Sequence, residues 1–229
     1  MNVLAAEHFF NLEGFRHRSL FPAHEPVWAA VAWGLAQYLQ QWSWWEIRSP
    51  LPAGVHLLSG PVYIDEDVEI EPGAVLRGPV LLDRGCRVRA GAYLRGPVLC
   101  GEGAVVGAHS ELKNAVLLPH AHAPHQNYVG DSILGCRVNL GAGTILSNFK
   151  HAGDEVVIKV DGRPLRTGLR KLGAILGDGC KTGCNTVTNP GVLMGPGCLT
   201  YPNATLASGY YPPGAIVKVR QTQQLIFNR

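Results

Sequence analysis

Charge and long apolar runs are both scarce in this chain. Asp, Glu, Lys and Arg make up 16 % of its 229 residues, and the net charge is only +3. So weak a positive charge does not indicate a surface that binds nucleic acid. No apolar run approaches the roughly 18 residues of a membrane span. The N-terminus is not a charged stretch followed by an apolar one, so we expect neither a membrane protein nor a secretory signal.

The six cysteines show no spacing typical of a disulfide framework. Cys180 and Cys184 lack the second cysteine pair that a structural zinc site needs. We therefore expect free thiols and a reducing compartment, the cytoplasm.

What the chain does have is a hexapeptide repeat, from Leu58 to Ala123. Each hexad begins with an aliphatic residue and nearly always has a small residue in fifth place. A second period, of three hexads, relates LSGPVY at Leu58, LRGPVL at Leu76 and Leu94, and LKNAVL at Leu112. Three hexads therefore form one coil of a β-solenoid, and stacked coils bury a common core. On this count His122 falls at an inward-facing fifth position.

The hexads define the domain organisation. Residues 1–57 precede them, and the segment 26–42 reads as an apolar helix that would cover the open end of the solenoid. Residues 58–209 form the solenoid, and 149–175 break the repeat as a loop insertion with a basic arm. Residues 210–229 are predicted to be a closing strand and a tail.

Two sets of side chains invite a chemical interpretation. Arg77, Arg95 and Lys113 recur every three hexads and should stack along one edge, either fanned out into solvent or facing an anionic ligand. A further set, the histidines between 109 and 125, resembles the zinc ligands of trimeric hexapeptide-repeat carbonic anhydrases. No carboxylate is placed as an outer partner for such a site, so we predict no metal.

The run HQNYVGDSILGCRVNLGAGTILSN, from His125 to Asn148, is more specific than a hexapeptide repeat. It resembles the acetyltransferase domain of the bifunctional enzymes that form UDP-N-acetylglucosamine, in which glucosamine-1-phosphate N-acetyltransferase is joined to a uridylyltransferase. The resemblance covers about residues 58–223. It implies a left-handed parallel β-helix, a homotrimer with sites between subunits, and acetyl-CoA as co-substrate. We see no glycine-rich phosphate loop of a nucleotidyltransferase, and we expect a stand-alone acetyltransferase.

The resemblance also assigns roles residue by residue. Its site residues are the general base His125, the sugar-phosphate tyrosine Tyr128, Asn139 near the amine, the phosphate ligands Arg95 and Lys113, the sugar contact Glu111, Asn148 near the acyl-CoA, Cys184 whose backbone N–H faces the thioester oxygen, and Lys218 near the coenzyme A phosphate.

Two departures bear on the substrate. The family's tyrosine after the asparagine is Phe149 here, and its lysine is replaced around Asp154. The predicted activity is acetyl transfer to an amino-sugar phosphate or a related sugar nucleotide. The alternatives are a non-catalytic ligand-binding or assembly trimer and a zinc hydrase.

Overall fold

The computed structural model describes residues 4–220, and these form a left-handed parallel β-helix of about nine turns. Its first ten strands, in chain order, are β1 (His56–Leu57), β2 (Val62–Ile64), β3 (Glu69–Ile70), β4 (Val75–Arg77), β5 (Val80–Leu82), β6 (Arg87–Val88), β7 (Tyr93–Cys100), β8 (Val105–Ala108), β9 (Glu111–Leu117) and β10 (His122–His125). The others are β11 (Tyr128–Leu134), β12 (Ile145–Leu146), β13 (Val157–Val160), β14 (Arg163–Arg166), β15 (Ala174–Leu176), β16 (Val187–Thr188), β17 (Val192–Met194), β18 (Leu199–Thr200), β19 (Thr205–Leu206), β20 (Gly209–Tyr211) and β21 (Ile216–Val217).

Short strands separated by corners give the β-helix three faces. The first face consists of β1, β4, β12, β16, β19 and the N-terminal halves of β7, β9 and β11. The second face consists of β2, β5, the C-terminal halves of the same three long strands, and β15, β17 and β20. The third face contains β3, β6, β8 and β10, then β18 and β21.

The first residues of the hexads build the core, as the repeat predicts. Leu76, Leu94 and Leu112 lie in register in successive coils and are fully buried. Burying each such side chain contributes about 2 kcal/mol. In later coils some core positions are polar. The hydroxyl oxygens of Thr144 and Thr182 lie 2.8 Å apart inside the β-helix. Paired hydroxyls satisfy each other there, so burying them costs little.

A β-bulge shortens the repeat in the middle of the solenoid. Arg95 pairs with Lys113, three full hexads along the chain, whereas Val98 pairs with Ala115, one position short of three hexads. Beyond Asn114 the inward positions therefore fall one residue earlier than the hexad count gives, at Ala115, Leu117, Ala121 and Ala123. The prediction that His122 faces inward is wrong, because the alanines on either side of it fill the core instead.

The N-terminal region contains short helices and a helix with an irregular start. They are α1 (Ala6–Phe9), a 3₁₀ helix (Arg18–Leu20), a π turn (Ala30–Gly34) and α2 (Leu35–Gln41). The helix expected over 26–42 thus begins late, at Ala30, after a turn that follows Pro26.

This N-terminal region packs along the second face rather than across the open end of the solenoid. The second face carries an outward row of apolar side chains, which form one cluster with Phe9, Leu35 and Leu39: Tyr63, Leu81, Leu99, Val116, Ile133, Ile175 and Leu193. The open end is closed instead by residues 46–55. Ile47 pairs with Ile64, and Leu51 packs against the core. A long apolar row offers more area than the end of one coil, so the aromatic segment lies beside it.

A buried polar network ties the N-terminal region to the solenoid. His17 is fully buried, its Nε2 lies 2.9 Å from an Asp83 carboxylate oxygen, and its Nδ1 lies 2.7 Å from the Tyr38 hydroxyl. Arg16 Nη1 reaches the same carboxylate at 3.5 Å.

Residues after Asn148 leave the β-helix, as the predicted loop insertion, and the solenoid resumes at β15. Strands β13 and β14 form an antiparallel hairpin across Asp161 and Gly162. Val156 and Ile158 are fully buried in the apolar cluster of the second face. Residues 221–229, most of the predicted tail, lie outside the described residues. All six cysteines are free thiols, and none of the helices within 4–220 has the length and apolar character to span a bilayer.

Candidate functional site

The predicted cation ladder is present on the first face. Arg77, Arg95 and Lys113 pair in register in three successive coils. Two of the three are matched by carboxylates: Arg95 Nη2 lies 2.7 Å from Glu111 Oε1, and Lys113 Nζ lies 2.8 Å from Asp131 Oδ1. Within residues 4–220, Arg77 forms no ion pair. The ladder therefore alternates cations with carboxylates at Arg95 and Lys113, but not at Arg77.

Asp131 is the centre of this set. Asn114, Asp131 and Asn148 occupy the same corner in three successive coils, since Lys113 pairs with Gly130 and the strands continue in register. Asn114 and Asp131 both have positive φ, 49° and 47°, a conformation that Asn and Asp tolerate better than most residues. One Asp131 oxygen accepts Nδ2 of Asn114 at 2.7 Å, and the other accepts Nδ2 of Asn148.

Tyr128 lies over Gly130 and reaches the same amide. A Cβ on Gly130 would lie 2.6 Å from the Tyr128 hydroxyl oxygen and 2.7 Å from Asn148 Nδ2. Only glycine therefore leaves room for the phenol to meet Asn148. Burial, followed by the negative charges of Glu111 and Asp131, raises the pKa of Tyr128. The phenol is consequently a neutral hydrogen-bonding group near pH 7.

His125 lies at the corner between the third and first faces, just before Tyr128. Its backbone is held on both sides: its N–H donates to Asn127 Oδ1 at 3.0 Å, and its carbonyl accepts Gly143 N–H at 3.0 Å. The residue is exposed, and its ring makes no hydrogen bond with the described residues. The imidazole is thus placed by its backbone and left open to a ligand.

Cys184 continues this corner in a later coil, whereas Asn139 lies on the adjoining third face. Asn139 is exposed on the third face, in register with His122 and Lys181. Cys184 lies in register with His125 two coils away, because Gly143 N–H bonds His125 and Asn185 N–H bonds Ala142. The backbone N–H of Cys184 has no partner in the part of the chain described.

Lys218 follows at the far end of the same edge, two coils beyond Cys184. It pairs in position with Tyr201, one residue after the paired Thr200 and Val217. Its Nζ lies 5.3 Å from the centre of the Tyr201 ring, a cation–π distance.

The site residues thus fall into two groups. Arg95, Glu111, Lys113, Tyr128 and Asn148 form one contiguous cluster on the first face. The second group does not contact this cluster within the described part of the chain; it consists of His125, Cys184 and Lys218 along the corner and Asn139 on the third face.

A groove of about 430 Å³ adjoins the cluster on the side of Asn148. Phe149, Lys150 and His151 form one wall, and Asn189 and Ser208 belong to the solenoid wall. The two positions that depart from the family pattern, Phe149 and Asp154, both lie in the loop insertion 149–175, which supplies the first of these walls.

The histidines between 109 and 125 form no metal-binding group within the described part of the chain. Within residues 4–220, no three His, Cys, Asp or Glu side chains converge closely enough to hold an ion. Burial and the neighbouring His120 lower the pKa of His122, which faces outward beside Val105.

Comparison with known proteins agrees with the fold. No family model matches the chain. It is 38 % identical over 149 residues to a bifunctional sugar-1-phosphate nucleotidylyltransferase/acetyltransferase of Sulfurisphaera tokodaii, across 65 % of this chain and 37 % of the relative. It is 38 % identical over 92 residues to the bifunctional protein GlmU of Methanococcus maripaludis strain C7, across 40 % of this chain and 22 % of that protein. The chain is a homologue of these bifunctional enzymes.

The shared part is limited. The aligned segment spans little more than a third of the first relative and about a fifth of the second. The β-helix is the hexapeptide-repeat acyltransferase type of fold, which fits the acetyltransferase part of such a protein.

The sequence interpretation missed three residues of the cluster. Gly130 and Asp131 stand within the quoted run from His125 to Asn148, and Asn114 replaces the glycine that follows Arg77 and Arg95 in the two preceding repeats. The signal was the change from R-G-P to K-N-A at Lys113, where a small flexible residue gives way to an amide.

Proposed function

We propose that the chain is an acetyl-CoA-dependent N-acetyltransferase acting on an amino-sugar phosphate such as glucosamine-1-phosphate, or on a related sugar nucleotide. The cluster around Asp131 is the observation that carries this proposal. It joins two cations, a phenol and an amide on one face of an acyltransferase-type solenoid, one corner away from an open histidine. The Sulfurisphaera tokodaii relative is a sugar-1-phosphate nucleotidylyltransferase/acetyltransferase, which supports the proposal.

In the proposed reaction, the sugar amine attacks the thioester carbonyl of acetyl-CoA. His125 accepts the proton that the amine must lose, since an imidazole is the side chain suited to this task near neutral pH. The C–N bond forms, the C–S bond breaks, and the proton is returned to the departing thiolate. The unpartnered N–H of Cys184 is suited to the oxyanion of the tetrahedral intermediate, a contact worth about 3 kcal/mol. None of these steps requires a metal.

The phosphate group is assigned to Arg95 and Lys113. Arg95 commits one N–H to Glu111, and its buried Nε has no partner within residues 4–220. Lys113 carries three N–H donors and turns part of them to Asp131. Both side chains therefore retain donors for phosphate oxygens, which bind charged donors strongly.

The acyl-CoA is assigned to the edge that begins at His125. Coils of a β-solenoid are about 4.8 Å apart, so Cys184 lies about 10 Å from His125 and Lys218 about 10 Å further on. An oxyanion donor at Cys184 and a cation two coils further on suit an elongated thioester with a terminal phosphate, whose carbonyl would meet the His125 of a neighbouring subunit.

We propose a homotrimer because His125 and Cys184 lie two coils apart in one chain, too far to act on one carbonyl, so the base and the acyl-CoA wall of one site would come from facing subunits. We expect light scattering at micromolar concentration to give three times the chain mass. A monomer mass would contradict a site shared between subunits. The free thiols and the small-molecule substrates favour the cytoplasm, with neither nucleic acid nor membrane as partner.

The assay is thiol release from acetyl-CoA with a panel of amino-sugar phosphates, their N-acetylated forms serving as blocked controls. We expect release with glucosamine-1-phosphate or another member that has a free amine and a phosphate. Binding of the panel without thiol release would favour the non-catalytic trimer instead.

The cation ladder makes a graded prediction. Arg95→Ala and Lys113→Ala should each raise the KM for the sugar phosphate more than they lower kcat, because they hold ground and transition states alike. Arg77→Ala is the matched control, since it lies one coil further out and has no carboxylate partner among the described residues. Steady-state kinetics in which Arg77→Ala is the most damaging variant would contradict the assignment of the phosphate.

A further inference from the structure

We propose that Asp131 is a positioning residue that sets Lys113 and Asn148 for their two different ligands. The inference rests on the proposed function and adds to it a residue that serves both substrates without contacting either. It begins from the number of donors on one carboxylate. Lys113 Nζ lies 2.8 and 2.9 Å from the two oxygens, and the amides of Asn114 and Asn148 take one oxygen each.

The carboxylate is buried, with 6 % of its side chain exposed. A buried carboxylate without partners is strongly disfavoured, and one with three donors is held firmly in place. The same contacts also restrict the groups that donate to the carboxylate. The Lys113 ammonium and the two amides are therefore held as firmly as Asp131 itself. The side chains of Lys113 and Asn148 have no other described partner that would fix them to this corner, apart from the Tyr128 hydroxyl at Asn148.

The geometry at Asn148 determines what its amide can offer. One N–H of Nδ2 is taken by Asp131, and the same nitrogen approaches the Tyr128 hydroxyl. The amide oxygen is then the free end, with no hydrogen bond to any described residue. A fixed acceptor suits the amide N–H groups of an acyl-CoA arm, whereas a freely rotating amide would offer either end.

Asp131 also restricts how Lys113 presents its charge. A lone lysine places a point charge on a flexible stem. Asp131 confines this ammonium to the corner while leaving at least one donor toward the first face. A phosphate there meets a cation that has already lost its conformational freedom, which improves affinity without a new contact.

The rival reading makes Asp131 only a counter-ion that lowers the local positive charge. The two interpretations predict opposite changes in phosphate affinity when the Asp131 carboxylate is removed. Removal of a counter-ion leaves Lys113 more attractive to phosphate, whereas removal of a positioning group weakens the phosphate and acyl-CoA contacts together.

The test uses Asp131→Asn, which keeps the shape but turns one acceptor oxygen into a donor facing Lys113 or an amide. We expect KM for both the sugar phosphate and acetyl-CoA to rise, each by about tenfold, with Asp131→Glu recovering part of the loss. Lys113→Ala should raise only the first KM, and Asn148→Ala only the second. The control is Asp83→Asn, a buried carboxylate paired with His17, which should lower thermal stability and leave both KM values unchanged.

A tighter KM for the sugar phosphate, or a change in one substrate alone, would overturn the positioning role. Crystal structures of the wild type and of Asp131→Asn provide a readout independent of activity. We expect the Lys113 and Asn148 side chains to leave the corner while β9 and β11 keep their backbone paths. Unmoved side chains would reject the inference even in an active enzyme. Moved side chains in a protein without turnover would support the inference and reject the proposed function.

Discussion

Replacing His125 by alanine is expected to lower kcat by about two to four orders of magnitude. Among the described residues, the imidazole is the group at this corner able to take the amine proton near neutral pH, and its ring is left without a partner there. Because the residue is exposed and is held by its backbone, the oligomeric state and the melting temperature should be nearly unchanged. Steady-state kinetics and thermal unfolding of the same preparation measure both quantities.

The matched control is His120→Ala, since His120 is another exposed histidine at a corner of the solenoid. We expect it to keep wild-type turnover, and His125→Asn to be as impaired as the alanine variant, because an amide cannot accept the proton. Equal damage from the two alanine variants, together with loss of activity in a chelator, would favour the zinc hydrase. Full turnover by His125→Ala would reject the base.

Replacing Phe9 by alanine is expected to cost about 3–5 kcal/mol in the free energy of unfolding. Phe9 is fully buried between the N-terminal region and the second face, with its ring edge-on to Tyr210 at 6.4 Å between centroids. Removing it leaves a cavity in the apolar cluster that joins this region to the second face. Chemical denaturation followed by fluorescence measures the change.

Trp44→Ala is the control from the same region. Its side chain is large but its residue is 64 % exposed, so we expect a change of only about 0.5 kcal/mol. A similar small loss for Phe9→Ala would mean that the N-terminal region is not bound to the second face as described.

Much of the fold was predictable from the hexads because a solenoid repeats one local rule. Leu76, Leu94 and Leu112 are each three hexads apart in the sequence and stacked in space for the same reason. The lateral position of the N-terminal helices was not predicted. The outward apolar row that begins with Tyr63 and Leu81 was its signal, since a face left to solvent would not repeat large apolar residues.

The site was predictable in its residue types and less so in its pairing. The period of three hexads correctly placed Arg95 beside Lys113. Continued unchanged, it would have set Asp131 directly opposite Lys113. Because of the register shift after Arg95, Gly130 lies opposite Lys113 instead. Asp131 then lies at the corner, where its carboxylate contacts the Asn148 amide. The one-residue shift falls where Asn114 and Ala115 stand in place of the Gly–Pro pair of the two preceding coils, and no count of hexads contains it.

Acetyl-CoA with an isotopically labelled acetyl group tests the central claim most directly. Incubated with the protein and glucosamine-1-phosphate, it should yield a sugar phosphate that carries the label on its amine nitrogen, as identified by mass spectrometry. The His125→Ala variant should form this product at least about a hundredfold more slowly. Free coenzyme A without a labelled sugar, or equal product from the wild type and the variant, would contradict the assignment of this corner as an acetyltransferase site.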